Sequence, residues 1–403
     1  MAIEKCYSPE FRVHLGGVQV PDDLRRAMAS VSFTTGFEGA DRVEVVVANQ
    51  ALRWLDHALL KLETPVRLAM GYIPDGVVPV FAGELTGVAA NFPSTGVPQL
   101  TLAAQDRRHR MQKGTQAVLH ADAGPDRNVA RSDQAVGNAI AAKHGVRIDL
   151  DPLGAKLAAV VGAAAAVVAA VDPDASQKAA RSQMNQSDYD FLRRVARENG
   201  LELLIDHSDG SGGKVLRMFS PFDHLTAEVE LEYGRSLIEF TPRETNVGQV
   251  ASVRANVWVP ANKSRIGLSL GAGGDPPGFT LTVGPPAATD EPNAVVVLNE
   301  PLTPATAPRR LLGELMPRLN AQLTGTGSTI GDPRIRAGAV VRLTGLGERF
   351  GGLYRVTSAT HTIDGGGYKT RFDVRKEIWL NGIPKAVQKA VRINRPADIK
   401  VMV

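Results

Sequence analysis

The run at residues 183–219, QMNQSDYDFLRRVARENGLELLIDHSDGSGGKVLRMF, constrains the fold most, because a helix start, an apolar stripe, a stop and a hairpin follow one another without a gap. Ser187 is an N-cap. Asp190, three positions on, is placed to return a hydrogen bond while its charge favours the helix N-terminus. The helix is expected to begin at Asp188. Tyr189, Phe191, Leu192, Val195 and Ala196 recur at three- and four-residue spacing, whereas Arg193, Arg194 and Arg197 fall on the polar side, so one face packs and the other is wet. Asn199 and Gly200 end the helix, Gly200 by taking the left-handed conformation that closes a last turn. Leu201, Leu203 and Ile205 then alternate as a half-buried strand, HSDGSGG turns, and residues 214–219 return as its partner.

Around this unit the chain reads as β-rich. Short Val, Thr and Leu runs, separated by 40 glycines and 25 prolines, favour sheets with frequent turns over a helical bundle. With 403 residues, 43% of them hydrophobic, the chain is long enough for about two to four cores. Strands are expected over residues 11–15, 31–37, 42–48, 66–72, 78–86 and 99–104, with one short helix where Leu52, Leu55, Leu59 and Leu62 recur. A small antiparallel barrel accommodates them. A second helix, over 131–147, is capped near Ser132 and leads through His144 and Gly145 to a strand at 146–150. Strands resume at 228–233, 236–241 and 249–259, and residues 261–299 form a Gly/Pro/Ala-rich excursion with a strand or two. Residues 308–323 form a helix with Leu311, Leu312, Leu315 and Leu319 on its apolar face and a bend at Pro317.

Two stretches carry a resemblance. QMNQSDYDFLRRVARENGLELLID, with Gln183, Asn185, Ser187, Asp188, Phe191, Leu192 and Gly200, is similar to the Q-x-N-E-S-D-x-x-F-L-x-R-x-A-x-x-x-G segment of the phage tail baseplate hub family. That family includes the late-control gene D proteins of contractile-tailed phages and the hub part of type VI secretion spike proteins. Gln186 stands where the family usually has Glu. About 150 residues later come Gly331-Asp332-Pro333, Gly338, a strand over 340–344, Gly352 and Tyr354 with Val356, then His361, Gly367 and Tyr368, in the order of the family's C-terminal barrel. On their own chemistry these residues read as architectural. Gly331 and Gly338 permit tight turns, Pro333 cannot sit in a central strand, Tyr354 and Tyr368 suit half-buried β positions, and His361 alternates within a strand as a hydrogen-bonded barrel histidine.

The resemblance implies a β-rich α+β fold: two small antiparallel β-barrels of the tail-hub type with an intervening α+β domain. Its segments would be a first barrel with a short helix at 1–118, the middle domain at 119–228, a second barrel with an inserted loop and helix at 229–382, and a C-terminal arm at 383–403. It further implies a structural, non-enzymatic homotrimer that adapts a six-fold tail tube to a three-fold spike and contacts other baseplate proteins. Spike proteins that fuse hub and needle continue into further domains, so here the trimeric spike is expected as a separate protein.

Other functions find less support. A net charge of +4 gives weak grounds for nucleic-acid binding despite a pI near 9.2, because phosphate affinity needs clustered charge. QDRRHRMQK at 105–113 is such a cluster, but no aromatic residue interleaves for base stacking, and it reads as solvated surface or interface rim. The run LAAVVGAAAAVVAAV at 157–171 is shorter than the roughly 20 residues that span a bilayer, so it reads as a mobile loop or a helix held against a neighbouring subunit. Cys6 is the only cysteine, so no intrachain disulfide or cysteine zinc site can form. The N-terminus MAIEKCYSPEF lacks a signal peptide pattern, so synthesis in a bacterial cytoplasm is expected, followed by assembly into a virion tail or injection particle. Gly345, Gly347 and Gly351 lack the strand–helix context of a dinucleotide loop, and the eight histidines do not cluster. No catalytic, cofactor or metal residue is therefore expected. The alternative is a lysozyme-like cell-wall hydrolase with its acid among Glu198, Glu202 and Glu239, and the three tryptophans, 54, 258 and 379, are poor platforms for a carbohydrate-binding module.

Overall fold

The computed structural model describes residues 8–122, 129–130, 132–150, 181–207, 210–219, 226–245, 252–259, 263–273, 278–284, 295–302, 307–377, 391–394 and 398–401. The Ala/Val-rich run at 157–171 lies outside them. Alternating burial along the strands drives the fold. In Ser8–Leu15, Phe11, Val13 and Leu15 point inward, and in Arg42–Ala48, Val43, Val45 and Val47 do, the period-2 pattern of a sheet with one packed face. Each such fully buried side chain contributes about 1.5–3 kcal/mol over leaving it exposed.

The fold is β-rich α+β, with two β regions flanking a middle unit. Thirteen described strands belong to one large, mainly antiparallel sheet. The first region contributes Ser8–Leu15, Met28–Gly36, Arg42–Ala48, Pro65–Ile73, Gly76–Asn91 and Gln99–Gln105, around a core containing Phe33, Met70, Phe81 and Leu102. The second contributes Leu237–Glu244, Leu323–Ile330, Val340–Thr344, Gly352–Asp364 and Gly367–Arg375, around Leu237, Tyr354 and Phe372. What sequence patterning does not reveal is their union: Met28–Gly36 of the first pairs antiparallel with Gly352–Asp364 of the second, so the two cores hang from one sheet.

Several elements differ from expectation. Residues 52–62 form no helix: the chain makes two 3-10 turns, Gln50–Leu52 and Ala58–Leu60, with Ala51 and Leu52 at positive φ. The Asn49 side chain accepts the Trp54 N–H at 2.8 Å, a local bond that competes with helix formation. The helix Ala307–Leu319 keeps Pro317 in its last turn. Between Val340–Thr344 and Gly352–Asp364 stands a single helical turn, Gly347–Phe350, not a direct strand-to-strand link. The excursion supplies three strands, Ser264–Gly273, Gly278–Gly284 and Val295–Leu302, in a six-stranded sheet. The expected C-terminal arm adds Val391–Asn394 and Asp398–Val401 to that same sheet through Gly278–Gly284.

The helix Asp188–Glu198 matches its sequence signals residue by residue. Ser187 Oγ accepts the Asp190 N–H at 3.1 Å, and the Ser187 hydroxyl donates to the Asp190 carboxylate at 2.6 Å. At the other end Leu201 N–H bonds the Ala196 carbonyl and Gly200 N–H the Arg197 carbonyl, with Gly200 at φ 69°, the paired closure that a left-handed residue allows. Its apolar stripe packs against Val136 and Ile140 of the helix Asp133–Lys143 and against Leu203 and Leu216 of a small sheet. In that sheet Arg147–Leu150 runs parallel to Val215–Phe219, which pairs antiparallel with Glu202–Asp206.

Candidate functional site

The three parts of the molecule meet at the turn that links Met28–Gly36 to Arg42–Ala48. Asp41 closes this turn: its carboxylate accepts from Gly36 N–H at 3.0 Å and from the Thr35 hydroxyl at 3.2 Å. Arg108, in the short helix Arg108–Met111, is wholly buried and inserts beneath it. Its guanidinium lies 2.5 Å from Asp41 and 2.7 Å from Asp106, and donates to the Gly36 carbonyl at 3.2 Å. His207 enters from the middle unit. Its Nδ1 accepts the Ala82 N–H at 3.2 Å, so Nε2 carries the proton donated to Asp41 at 3.0 Å. Burial pushes the Asp41 carboxyl up, but Arg108 and the His207 hydrogen bond outweigh it and hold the carboxyl below its ordinary range. Burial works against charge on Arg108, and Asp106 followed by Asp41 keeps it protonated. Asp41, Asp106 and His207 bring ligand-type atoms within 4.8 Å of one another. The guanidinium among them is already the cation these groups hold.

The second β region locks in by similar means. Arg355 and Glu377, both fully buried, pair at 2.8 Å, and Arg355 also donates to the Gly338 carbonyl at 2.8 Å. Arg375 bridges Glu377 at 2.8 Å and Glu202 of the middle unit at 2.9 Å, while stacking 5.4 Å above Phe37. Phe37, Phe219 and Ala337, one from each part, form a small apolar cluster there. Tyr189 donates its hydroxyl to the Phe37 carbonyl at 3.3 Å.

A different joint lies further along the seam. His361 is fully buried and stacks on Phe33 of the first region at 5.7 Å. Its Nε2 bonds the Ile335 carbonyl at 2.9 Å, while Nδ1 meets the Tyr368 and Thr370 hydroxyls at 3.0 Å. Among the described residues no carboxylate touches the ring, and burial lowers its pKa to about 4.

Known structures resemble this arrangement over nearly its whole length. A tail protein from Neisseria meningitidis MC58 superposes with a TM-score of 0.58 at 11% identity, covering 93% of this chain and 98% of that one. The 43 kDa tail protein of prophage MuSo2 from Shewanella oneidensis gives 0.57 at 10% identity, covering 91% and 98%. The fold is that of phage tail proteins. An E. coli component of the type VI secretion system, similar in structure to the T4 bacteriophage tail proteins gp27 and gp5, gives 0.54 at 11% identity over 92% of this chain and 78% of that one. No protein-family model matches the sequence, and no curated protein matches it.

Within this tail-protein fold the first motif gathers around Asp188. Gln183 donates to Asp188 at 2.9 Å and accepts from His120 at 3.1 Å, while His144 bonds Asp188 at 2.8 Å. Burial raises the Asp188 carboxyl, but the His144 and Gln183 hydrogen bonds bring it below the ordinary range. Phe191 lies against His120 at 4.8 Å and Leu192 is wholly buried. Asn185 takes φ 50° at a bulge between Met184 and Gln186, a conformation that asparagine tolerates better than most residues. The second motif gathers around His361. Gly331 lies flat on the Tyr368 ring, where a Cβ would come within 2.0 Å of ring carbon. Asp332 N–H bonds the Thr370 hydroxyl at 3.1 Å, and Pro333 follows at the edge of a junction cavity of about 440 Å³. Gly338, Gly352 and Gly367 all have positive φ. Val356 lies in the second core with Tyr354, whose hydroxyl donates to the Phe350 carbonyl at 2.7 Å. Both tyrosines are fully buried, not half-buried.

The basic cluster at 105–113 is surface only in part: Gln112 and Lys113 are exposed, whereas Arg108 is wholly buried. Besides Arg108, Arg110 is bonded to Glu84 at 2.9 Å, and the His109 ring to the Asp106 carbonyl at 2.7 Å. Of the three acids expected for a hydrolase, Glu198 is paired with Arg181 and Arg194 and Glu202 with Arg375, while Glu239 stands exposed on Leu237–Glu244, at one end of the large sheet. Among the described residues no helix is long and apolar enough to cross a membrane.

Proposed function

We propose that this chain is a structural baseplate hub of a contractile phage tail or a phage-tail-like injection particle. What carries the reading is the near-complete, two-way overlap with phage and prophage tail proteins, in which both β regions and the middle unit take part. As a homotrimer it presents six β regions, so a three-fold object offers a pseudo-six-fold face to the tail tube while keeping three-fold symmetry for a trimeric spike. Other baseplate proteins bind its outside. The hub acts through assembly and carries no catalytic chemistry, and its place is the virion tail or the injection particle. Residues 1–118, 119–228 and 229–382 act as first β region, middle unit and second β region, and residues 383–403 close the chain.

The buried lock at Asp41, Arg108 and His207 supports the reading, because an adaptor under load must hold its first β region and its middle unit in fixed relation. Solution mass measurement of the full chain with its spike partner tests the proposal. A trimer is expected, burying more than about 2,000 Å² per interface. A stable monomer, or a true six-fold ring of this chain in assembled particles, overturns it.

A further inference from the structure

A cleft of about 1270 Å³ opens between the helices Asp188–Glu198 and Ala307–Leu319 and the seam of the two β regions. The helices touch closely, since a Cβ on Gly313 would come within 2.8 Å of the Arg197 carbonyl oxygen. Among the described residues six arginines and five acids line the cleft. Arg193 and Arg197, four positions apart and so on one side of their helix, both donate to the carboxylate of Glu38, Arg197 at 3.4 Å. Two guanidiniums thus share one carboxylate, and that carboxylate belongs to a turn of the first β region whose Glu38 side chain is 77% exposed. Two further polar groups of the lining lack partners. Asn320 is 4% exposed, and among the described residues its Oδ1 accepts no hydrogen bond; the buried Nε of Arg194 donates none. A buried acceptor and a buried donor left this way are destabilising until something supplies the missing halves.

We propose that this cleft receives an extended acidic peptide segment of a partner protein, whose carboxylate displaces Glu38 from Arg193 and Arg197. Glu38 is then the chain's own stand-in for the partner's carboxylate. The pair of guanidiniums suits a carboxylate, as Glu38 itself demonstrates. The Asn320 acceptor and the Arg194 donor match the N–H and C=O of a peptide backbone, whereas a phosphodiester backbone offers acceptors alone. The acids set among the arginines would also repel a continuous run of phosphates. In an extended segment every second side chain falls on the same side, so glutamates at alternate positions face the arginine wall together. Such a segment can dock on a single copy, so the contact stands apart from trimer formation.

Fluorescence anisotropy of the full chain with a fluorescein-labelled peptide of alternating glutamate and glycine tests it, with a glutamine–glycine peptide and a single-stranded oligothymidylate as comparisons. Saturable binding of the glutamate peptide alone is expected at low salt. Arg193→Gln/Arg197→Gln is expected to weaken that binding about tenfold or more. Glu38→Gln is expected to strengthen it about threefold, because the two arginines lose their internal occupant. The gain keeps the test decisive even if the double variant fails to fold, since Glu38→Gln alters only an exposed side chain. Absence of binding, equal binding of the oligothymidylate, or an affinity that Glu38→Gln leaves unchanged or lowers overturns the proposal. Full affinity in a folded double variant overturns it as well.

Discussion

The joint at Arg108 and the joint at His361 both fasten the first β region to the rest of the molecule, yet they are built from opposite materials. At Arg108 a full positive charge is balanced by two buried carboxylates, and at His361 a neutral ring is satisfied by two hydroxyls and a carbonyl. The charged joint is the one expected to tolerate acid better. Asp41 is held below its ordinary 3.8, so its contribution is present above that value and is lost only as pH falls through the lower folded value. His361 is lowered too, from 6.5 to about 4, but for an imidazole a lowered value favours the neutral form. The folded state holds it neutral while the unfolded chain takes a proton, so its contribution is complete above pH 6.5 and drains away between 6.5 and about 4.

Breaking the ionic joint has the largest expected effect. Arg108→Leu leaves Asp41 and Asp106 buried against each other without a cation, and a loss of about 3–5 kcal/mol is expected in denaturant unfolding at pH 7. A loss under about 1 kcal/mol would mean that water or a counter-ion replaces the guanidinium. Next comes the pH titration, in which the wild type is expected to lose about 3 kcal/mol between pH 6.5 and 4. His361→Phe costs about 1–3 kcal/mol at pH 7 by stranding the Ile335 carbonyl, but it flattens that slope. A slope that survives the substitution places the acid-sensitive group elsewhere. The smallest effect belongs to Glu38, which pairs with Arg193 and Arg197 while 77% exposed. Glu38→Ala is expected to change stability by less than about 0.5–1 kcal/mol, fading further in high salt. A larger change would show that exposed pairs share in the lock.

Legibility in the sequence follows the distance over which each feature is determined. The helix Asp188–Glu198 is readable to the residue because its cap, stripe and stop lie within one short segment. The leucines of 52–62 mislead because their spacing is helical, while the Asn49 side chain's bond to the Trp54 N–H and two positive-φ residues bend the chain into 3-10 turns. Arg108 gives no signal at all. It stands among arginines that look like surface, and its partner Asp41 and the His207 that completes the cluster come from other parts of the chain. The family-type glycines can be seen in sequence as turn residues, yet only the fold reveals that Gly331 is small because Tyr368 lies on it.

The seam between the two β regions also sets the order in which the molecule can be made. Thr34 and Thr360 face each other across it at 3.1 Å although they are 326 positions apart. At a synthesis rate of about 5–20 residues per second, Met28–Gly36 must wait tens of seconds for the strand that will cover its edge. Until then it is a strand with one side unpaired, the kind of edge that recruits the wrong partner during synthesis. Gly352–Asp364, made late, completes the first region, so a chain truncated before residue 352 leaves that edge open and is expected to aggregate.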